Sequence, residues 1–199
     1  MKVLIACEFS GVVREAFKAR GHDVWSCDLL PSEIPGQHIQ DDVLKYLNKG
    51  WDLMIAHPEC TFLTVSGNRW MKPEYQMKFP DRPQQRKKAI EFFMKIVNAP
   101  IDKICVENPV GIMSTLYRKP EQIIQPYQFG HKEPKKTCLW LKNLPLLQPT
   151  KLVEPEYFIS KSGKRLASWY YLPSNTPERK KLRQRTFTGI AESMANQWG

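Results

Sequence analysis

Four short apolar runs, residues 2–6, 24–27, 53–56 and 104–106, each break off at a polar residue. Helix-like stretches separate them. Continuous apolar runs of this length suit strands buried on both faces of a sheet. Between them Val12, Val13, Ala16 and Phe17 recur at helical spacing with Gly21 as a stop, and Ala89, Ile90, Phe93, Ile96 and Val97 mark an amphipathic helix over 85–97. A short helix follows Asp41-Asp42, and 137–141 is a further strand. This alternation predicts an α/β fold with a doubly wound, mostly parallel sheet. Ligands of such sheets sit beyond the carboxyl ends of the strands. The residues of interest are therefore Glu8 to Gly11, Asp28, Asp42, His57 to Cys60, Glu107 and Asn108.

A chain of 199 residues supports one well-buried core. No apolar run approaches the roughly 20 residues of a membrane span. The opening Met-Lys-Val-Leu-Ile-Ala-Cys meets Glu8 too soon for a signal-peptide core, so a cytoplasmic protein is expected. The five cysteines are scattered without a Cys-x-x-Cys pair, which argues against a zinc ribbon or a disulfide framework. Four lie inside apolar strand-like runs; only Cys60 stands just past a strand end, in a polar loop. Beyond Leu141 the texture changes, with five prolines between Pro145 and Pro177. Residues 157–159 and 166–171 flank Ser162-Gly163 as a small hairpin, Thr176-Pro177 opens a helix, and Ile190, Met194 and Trp198 stripe a closing one. The expected organisation is a core over 1–142 and a Pro-rich, basic C-terminal segment over 143–199 packed on it.

The formal charge is +10. From Lys161 to Arg185 eight Lys or Arg residues face one acid, and from Arg69 to Lys88 seven face two, with Trp70, Tyr75 and Phe79 interleaved. Basic stretches mixed with aromatics suit a polyanion whose bases can stack. A solvated basic face is the plain alternative.

Taken together, the strand-end residues resemble the cytosine C5-methyltransferases that use S-adenosylmethionine. Phe9-Ser10-Gly11 resembles the cofactor-loop motif Asp-Leu-Phe-Ser-Gly-x-Gly-Gly. The stretch from Asp52 to Gly67 resembles the catalytic loop built around Pro-Cys-Gln and closing in Ser-x-Ser-Gly, and Val106-Glu107-Asn108 resembles the Glu-Asn-Val motif. The motifs occur in the family's order over roughly residues 1–141. The resemblance implies a Rossmann-like fold of the class I methyltransferase type, S-adenosylmethionine as cofactor, and DNA as the nucleic-acid partner. It implies Cys60 as the thiolate that adds to cytosine carbon 6, making carbon 5 nucleophilic. Glu107 would hydrogen-bond ring nitrogen 3, with a raised pKa so that it can donate a proton, and Asn108 would brace the loop. Phe9, Ser10, Gly11, Asp28, Asp42 and Pro58 fall at cofactor positions, although Asp28 and Asp42 also read as helix caps. Arg69, Lys135, Lys136, Arg165, Arg183 and Arg185 are the candidate nucleic-acid contacts.

The departures from the family's pattern are specific. Val12-Val13-Arg14 replaces two glycines of the cofactor loop, and Cys7 stands where an acid is common. Glu59 and Thr61 replace a proline and a glutamine beside Cys60. Glu59 would oppose thiolate formation unless Arg69 or a tail arginine offsets it. His57 replaces a small residue, as a pocket-lining or a structural group. The Gln-x-Arg-x-Arg motif is only echoed by Lys135-Lys136-Thr137, and the large target-recognition insert is missing. About forty residues are little material for reading the major groove. Low sequence selectivity is expected, or else an RNA or free cytidine nucleotide as substrate; a non-catalytic nucleic-acid binder is the third reading.

Overall fold

A computed structural model describes the chain apart from residues 174, 175 and 185, and only the backbone of residues 76, 168, 180–182 and 184. In chain order the strands are β1 (Lys2–Ala6), β2 (Asp23–Asp28), β3 (His38–Gln40), β4 (Leu53–Ala56), β5 (Lys103–Pro109), β6 (Gln122–Ile124), β7 (Thr137–Lys142), β8 (Tyr157–Ile159) and β9 (Arg165–Ala167). The α-helices are α1 (Val12–Lys18), α2 (Pro73–Gln76), α3 (Arg82–Val97), α4 (Met113–Leu116), α5 (Pro177–Gln184) and α6 (Thr188–Trp198).

The main sheet has the order β3-β2-β1-β4-β5-β7-β6. Its first five members are parallel, and β7 runs antiparallel to both β5 and β6. This order, with its reversed seventh strand, is the Rossmann-like methyltransferase arrangement, as the sequence leads one to expect. Strand order reverses between β1 and β4, which opens a cleft beyond their carboxyl ends.

Alternation along each strand builds two cores. Val3, Ile5, Leu53, Ile55 and Leu139 meet α1 and α6 on one face, while Leu4, Met54, Val106 and Trp140 meet Phe93 and Ile96 of α3 on the other. Both faces are covered, so the strands are apolar throughout rather than alternating. The stripe Ile190, Met194 and Trp198 is buried against α1 through α6, making the C-terminal helix part of the same core as β1. The Thr176 hydroxyl accepts from the Arg179 amide at 3.3 Å and caps α5.

Several details differ from the sequence reading. Strand β5 runs on through Glu107 and Asn108 to Pro109, and the second hairpin arm is β9 alone, followed by a 3₁₀ turn over Ser168–Tyr171. Strands β3 and β6 are three residues long, lie at the sheet edges and are only partly buried, so they carry too little apolar pattern to be read locally. Helix α3 starts at Arg82 with a proline in its first turn, ahead of the expected start. The helix after Asp42 is one 3₁₀ turn, Val43–Lys45. Among the described residues no helix is long and apolar enough to cross a membrane.

Candidate active site

The site follows from strand register. Ala6 pairs with Ala56, and Ala56 with Val106, so the next residues (Cys7, His57 and Glu107) stand at one level; Cys7 and His57 leave the sheet there, while Glu107 continues β5 and pairs with Leu139 of β7. His57 Nδ1 lies 2.7 Å from Glu107 Oε2. These side chains keep 17% and 22% of their surface, so the pair lines the cleft instead of being sealed beneath it. Burial works against the imidazolium, but the hydrogen bond that His57 donates to Glu107 and the charges of Glu107 and Glu8 outweigh it, against Lys135, and hold the His57 pKa above its ordinary 6.5. Burial likewise pushes the Glu107 carboxyl up, yet the hydrogen bond and charge of His57, with Lys135, bring it below its ordinary 4.5. Both shifts place the shared proton on His57, which donates it to the carboxylate. The expectation of a raised Glu107 pKa is therefore corrected: His57, the first residue past the end of β4, overrides desolvation through its hydrogen bond and charge. His57 Nε2 is buried and has no hydrogen-bond partner among the described residues.

Cys60 is half-buried on the loop that follows β4. Burial, then the charge of Glu107, push its thiol above the ordinary 9.0, while Lys135 and Arg183 pull it back. The offsetting cations are thus Lys135, at the entry to β7, and a tail arginine on α5. The carboxylate that acts on the sulfur is Glu107, whereas Glu59 is exposed. At rest Cys60 is a thiol. The remaining four cysteines include three fully buried ones, Cys27, Cys105 and Cys138.

The Cys60 loop is braced from two sides. Buried Asn108 donates from Nδ2 to the Pro58 carbonyl at 2.8 Å, Ile112 N donates to Leu63 O at 2.8 Å and Val65 N to Val110 O at 3.2 Å. From α3, Arg86 Nε donates to Phe62 O at 3.0 Å and Arg82 Nη2 to Thr61 O at 3.4 Å. Pro58 is buried, with its carbonyl taken by Asn108.

Beside this lies the turn after β1. Cys7 has φ 58, a left-handed conformation rare for a non-glycine residue, and it swings the chain sharply out of the sheet. Buried Glu8 then accepts the amides of Val13 (2.7 Å) and Arg14 (3.2 Å) and the Ser10 hydroxyl (3.1 Å), capping α1. Arg14, fully buried, donates to Ser26 Oγ, Ser32 Oγ and Ile34 O at 2.9, 3.0 and 2.6 Å and ties the segment after β2 to α1. A Cβ on Gly11 (φ 75) would lie 2.8 Å from Arg14 Nη2. The arginine thus fills the space behind this turn. Phe9 is half-buried and its carbonyl accepts from Glu33 N at 2.8 Å.

Asp28, at the end of β2, and Asp42, after β3, both bear on Cys7 through their charge. Each accepts a nearby backbone amide through Oδ1, from Leu30 N at 2.9 Å and from Leu44 N at 3.0 Å. Of the two expected helix caps only Asp42 is one, on the 3₁₀ turn Val43–Lys45; Asp28 is followed by β3 and not by a helix, and its bond to Leu30 N closes a local turn after β2. Leu29 and Leu30 stand beside them 72% and 53% exposed. Three carboxylates, one hydroxyl and an apolar ledge fit a molecule that carries an ammonium, a diol and a flat heterocycle. S-Adenosylmethionine has those groups.

Of the basic candidates, Lys135 and Arg183 act on the sulfur through their charge, and the Lys135 ammonium stands over the Phe187 ring at 5.6 Å. Lys136, Arg69 and Arg165 are exposed, Arg69 over the Trp70 ring at 4.1 Å and Arg165 over Tyr157 at 5.7 Å. Arg185 lies outside the described residues. Trp70 packs edge-on against Tyr75 and Phe79, at 5.0 and 5.3 Å, so these aromatics partly satisfy one another. Thr186 Oγ1 accepts from the Ser10 hydroxyl at 3.5 Å and brings the α5–α6 junction to the cofactor turn. Sequence reading singled out neither Arg14 nor the His57 partnership. Counting register from Ala6, Ala56 and Val106 is the signal that finds the latter.

The sequence matches no family model and no curated protein. Solved structures with a similar course of chain include a prophage-encoded protein of E. coli described as a DNA modification methyltransferase (16% identity, TM-score 0.47, 77% of this chain and 52% of that one). Others are a mutant of Spodoptera frugiperda DNMT2 (14%, 0.43, 78% and 57%) and the Entamoeba histolytica methyltransferase EhMeth (13%, 0.46, 89% and 61%). The chain spans between about half and three fifths of those proteins' lengths.

Proposed function

We propose that this chain methylates carbon 5 of cytosine in DNA, with S-adenosylmethionine as donor and Cys60 as the transient nucleophile. The observation that carries the reading is that Cys60, on the loop after β4, lies within the electrostatic reach of Glu107 on the neighbouring strand β5, whose charge adds to burial in raising the thiol. Once deprotonated, the Cys60 sulfur bonds to ring carbon 6, and the displaced π electrons make carbon 5 nucleophilic while charge gathers at nitrogen 3. Glu107 meets that nitrogen. Asn108 holds the Pro58 carbonyl and so fixes the path of the Cys60 loop. When bound, S-adenosylmethionine supplies the electrophilic methyl group. Glu8 and the turn Phe9-Ser10-Gly11 would hold its amino-acid end, Asp28 the ribose diol, and Asp42 the adenine amino group with Leu29 and Leu30 beneath the ring; Pro58 closes the wall between donor and base.

The charge of +10 supports a polyanionic substrate. Lys135 and Arg183 act electrostatically on the Cys60 sulfur, and Lys136, Arg69 and Arg165 add exposed positive charge. In duplex DNA the base must leave the stack to reach Cys60. The test is transfer of tritiated methyl from S-adenosylmethionine to DNA, RNA and dCMP in parallel, with Cys60→Ser as control. Label should enter DNA and vanish in the variant. Label in RNA or dCMP alone would change the substrate, and transfer by Cys60→Ser would remove the nucleophile.

A further inference from the structure

Resting on the Cys60 reading above, we propose that His57 is the proton reservoir of the site: its Nδ1 proton passes through Glu107 to cytosine nitrogen 3 as the Cys60 sulfur bonds to carbon 6, and returns on elimination. The geometry motivates the assignment. Nδ1 and Oε2 are 2.7 Å apart, already at transfer distance. Register holds the pair there, because β4 and β5 bring residues 57 and 107 to the same level. The carboxylate alone has no proton to give.

Atoms and charges balance. The resting Cys60 thiol first gives its proton to solvent water, so that addition starts from a thiolate and an imidazolium. The S–C6 bond forms, the C5=C6 electrons shift through the ring to nitrogen 3, the N3–H bond forms from Glu107, and Nδ1–H breaks to replenish it. Two opposite charges vanish together, which favours the step in a partly dry cleft. Protonating Glu107 also removes the negative charge that raises the Cys60 thiol. The groups that act on His57 are Glu107 from β5, Glu8 from the turn after β1, and Lys135 from the entry to β7; Cys60 feels Glu107, Lys135 and Arg183. In this scheme His57 is a positioning residue that acts through Glu107.

The decisive variant is His57→Asn. An asparagine amide retains a donor near Nδ1 but has no transferable proton, so a merely structural role would survive the change. DNA whose cytosines are replaced by 5-fluorocytosine traps the adduct, and its rate of formation is measured under single turnover from pH 5.5 to 9. At pH 8 the variant should be slower by ~10²-fold, the low end for general acid–base catalysis. The deficit should narrow as pH falls below the His57 titration, where the wild type loses thiolate while the variant draws its proton from the medium. A variant within about threefold of wild type at pH 8, or a deficit unchanged across the range, overturns the inference. A second measurement needs no variant. The wild-type rate should stop rising where nitrogen-15 NMR shows His57 losing its proton; a rate that keeps climbing tenfold per pH unit beyond that point also overturns it. If the wild type forms no adduct at any pH, the underlying Cys60 reading fails and takes the inference with it. Equal adduct formation by both proteins removes the inference alone.

Discussion

Gly111→Ala should unclamp the Cys60 loop without touching the reacting groups. A Cβ at Gly111 would lie 2.1 Å from the Leu63 carbonyl oxygen and 2.9 Å from its carbon, where real Cβ contacts do not fall below 3.0 Å. Leu63 must therefore retreat by about 0.9 Å. Its oxygen accepts from Ile112 N at 2.8 Å, a bond that such a shift carries out of range. Losing it costs ~1 kcal/mol, and forcing a methyl against a backbone that is already packed costs ~1–3 kcal/mol more. The sum, ~2–4 kcal/mol, should lower Tm by about 5–15 °C in a protein of this size. The shift also reaches Cys60, the proposed nucleophile, because Leu63 N and Thr64 N both donate to Cys60 O, at 3.0 and 3.1 Å. An ~1 Å displacement of a reacting group costs ~10²-fold in rate. Thermal unfolding and the rate of adduct formation on 5-fluorocytosine DNA read the two effects. A variant that melts within about 1 °C of wild type and reacts at the same rate would show that β5 does not fix the loop.

The His57–Glu107 pair sets a stability window. The lowered carboxyl stabilises the fold above its ordinary 4.5 and loses that contribution as pH falls through its folded value. The raised imidazolium stabilises fully below its ordinary 6.5 and loses its contribution as pH rises through its folded value. The Tm difference between wild type and the His57→Asn/Glu107→Gln double variant should peak between pH 4.5 and 6.5 and shrink on either side; a flat difference contradicts the pairing. Arg14→Met keeps the bulk but frees Ser32 and Ile34, costing ~2–4 kcal/mol in urea unfolding. By loosening the Asp28 segment it should also weaken S-adenosylmethionine binding in calorimetry; unchanged affinity would detach Asp28 from the cofactor. Arg183→Ala, at an exposed position, should leave Tm nearly unchanged and move the rise of rate with pH upward, and should lower the salt slope of DNA binding by ~1. An unaltered pH profile would exclude Arg183 from the sulfur's surroundings.

Much of the fold was legible because β1 and β4 are wholly buried. Their apolar runs, 2–6 and 53–56, coincide with the strands. The edge strands β3 and β6 were not legible, since His38-Ile39-Gln40 and Gln122-Ile123-Ile124 become strands by pairing with β2 and β7 and not by their own pattern. At the site, chain position after a strand was enough to single out Cys60, Glu107, Asn108, Asp28 and Asp42 as candidates. The protonation of Glu107 was not legible, because it depends on a partner fifty residues away that only strand register supplies. Arg14 escaped for a related reason. An arginine inside a helical repeat reads as solvent-facing, and its burial depends on Ser32 and Ile34 folding back over it. Among the interleaved aromatics, Trp70 lies between Tyr75 and Phe79, a local cluster that composition cannot distinguish from a row of exposed stacking platforms.

The most direct test of the account is peptide mapping of the protein after reaction with 5-fluorocytosine DNA and S-adenosylmethionine. The account predicts one covalently modified peptide, the one containing Cys60, and none in Cys60→Ser. A modified peptide carrying any of the other four cysteines, or an adduct that persists in Cys60→Ser, would contradict it.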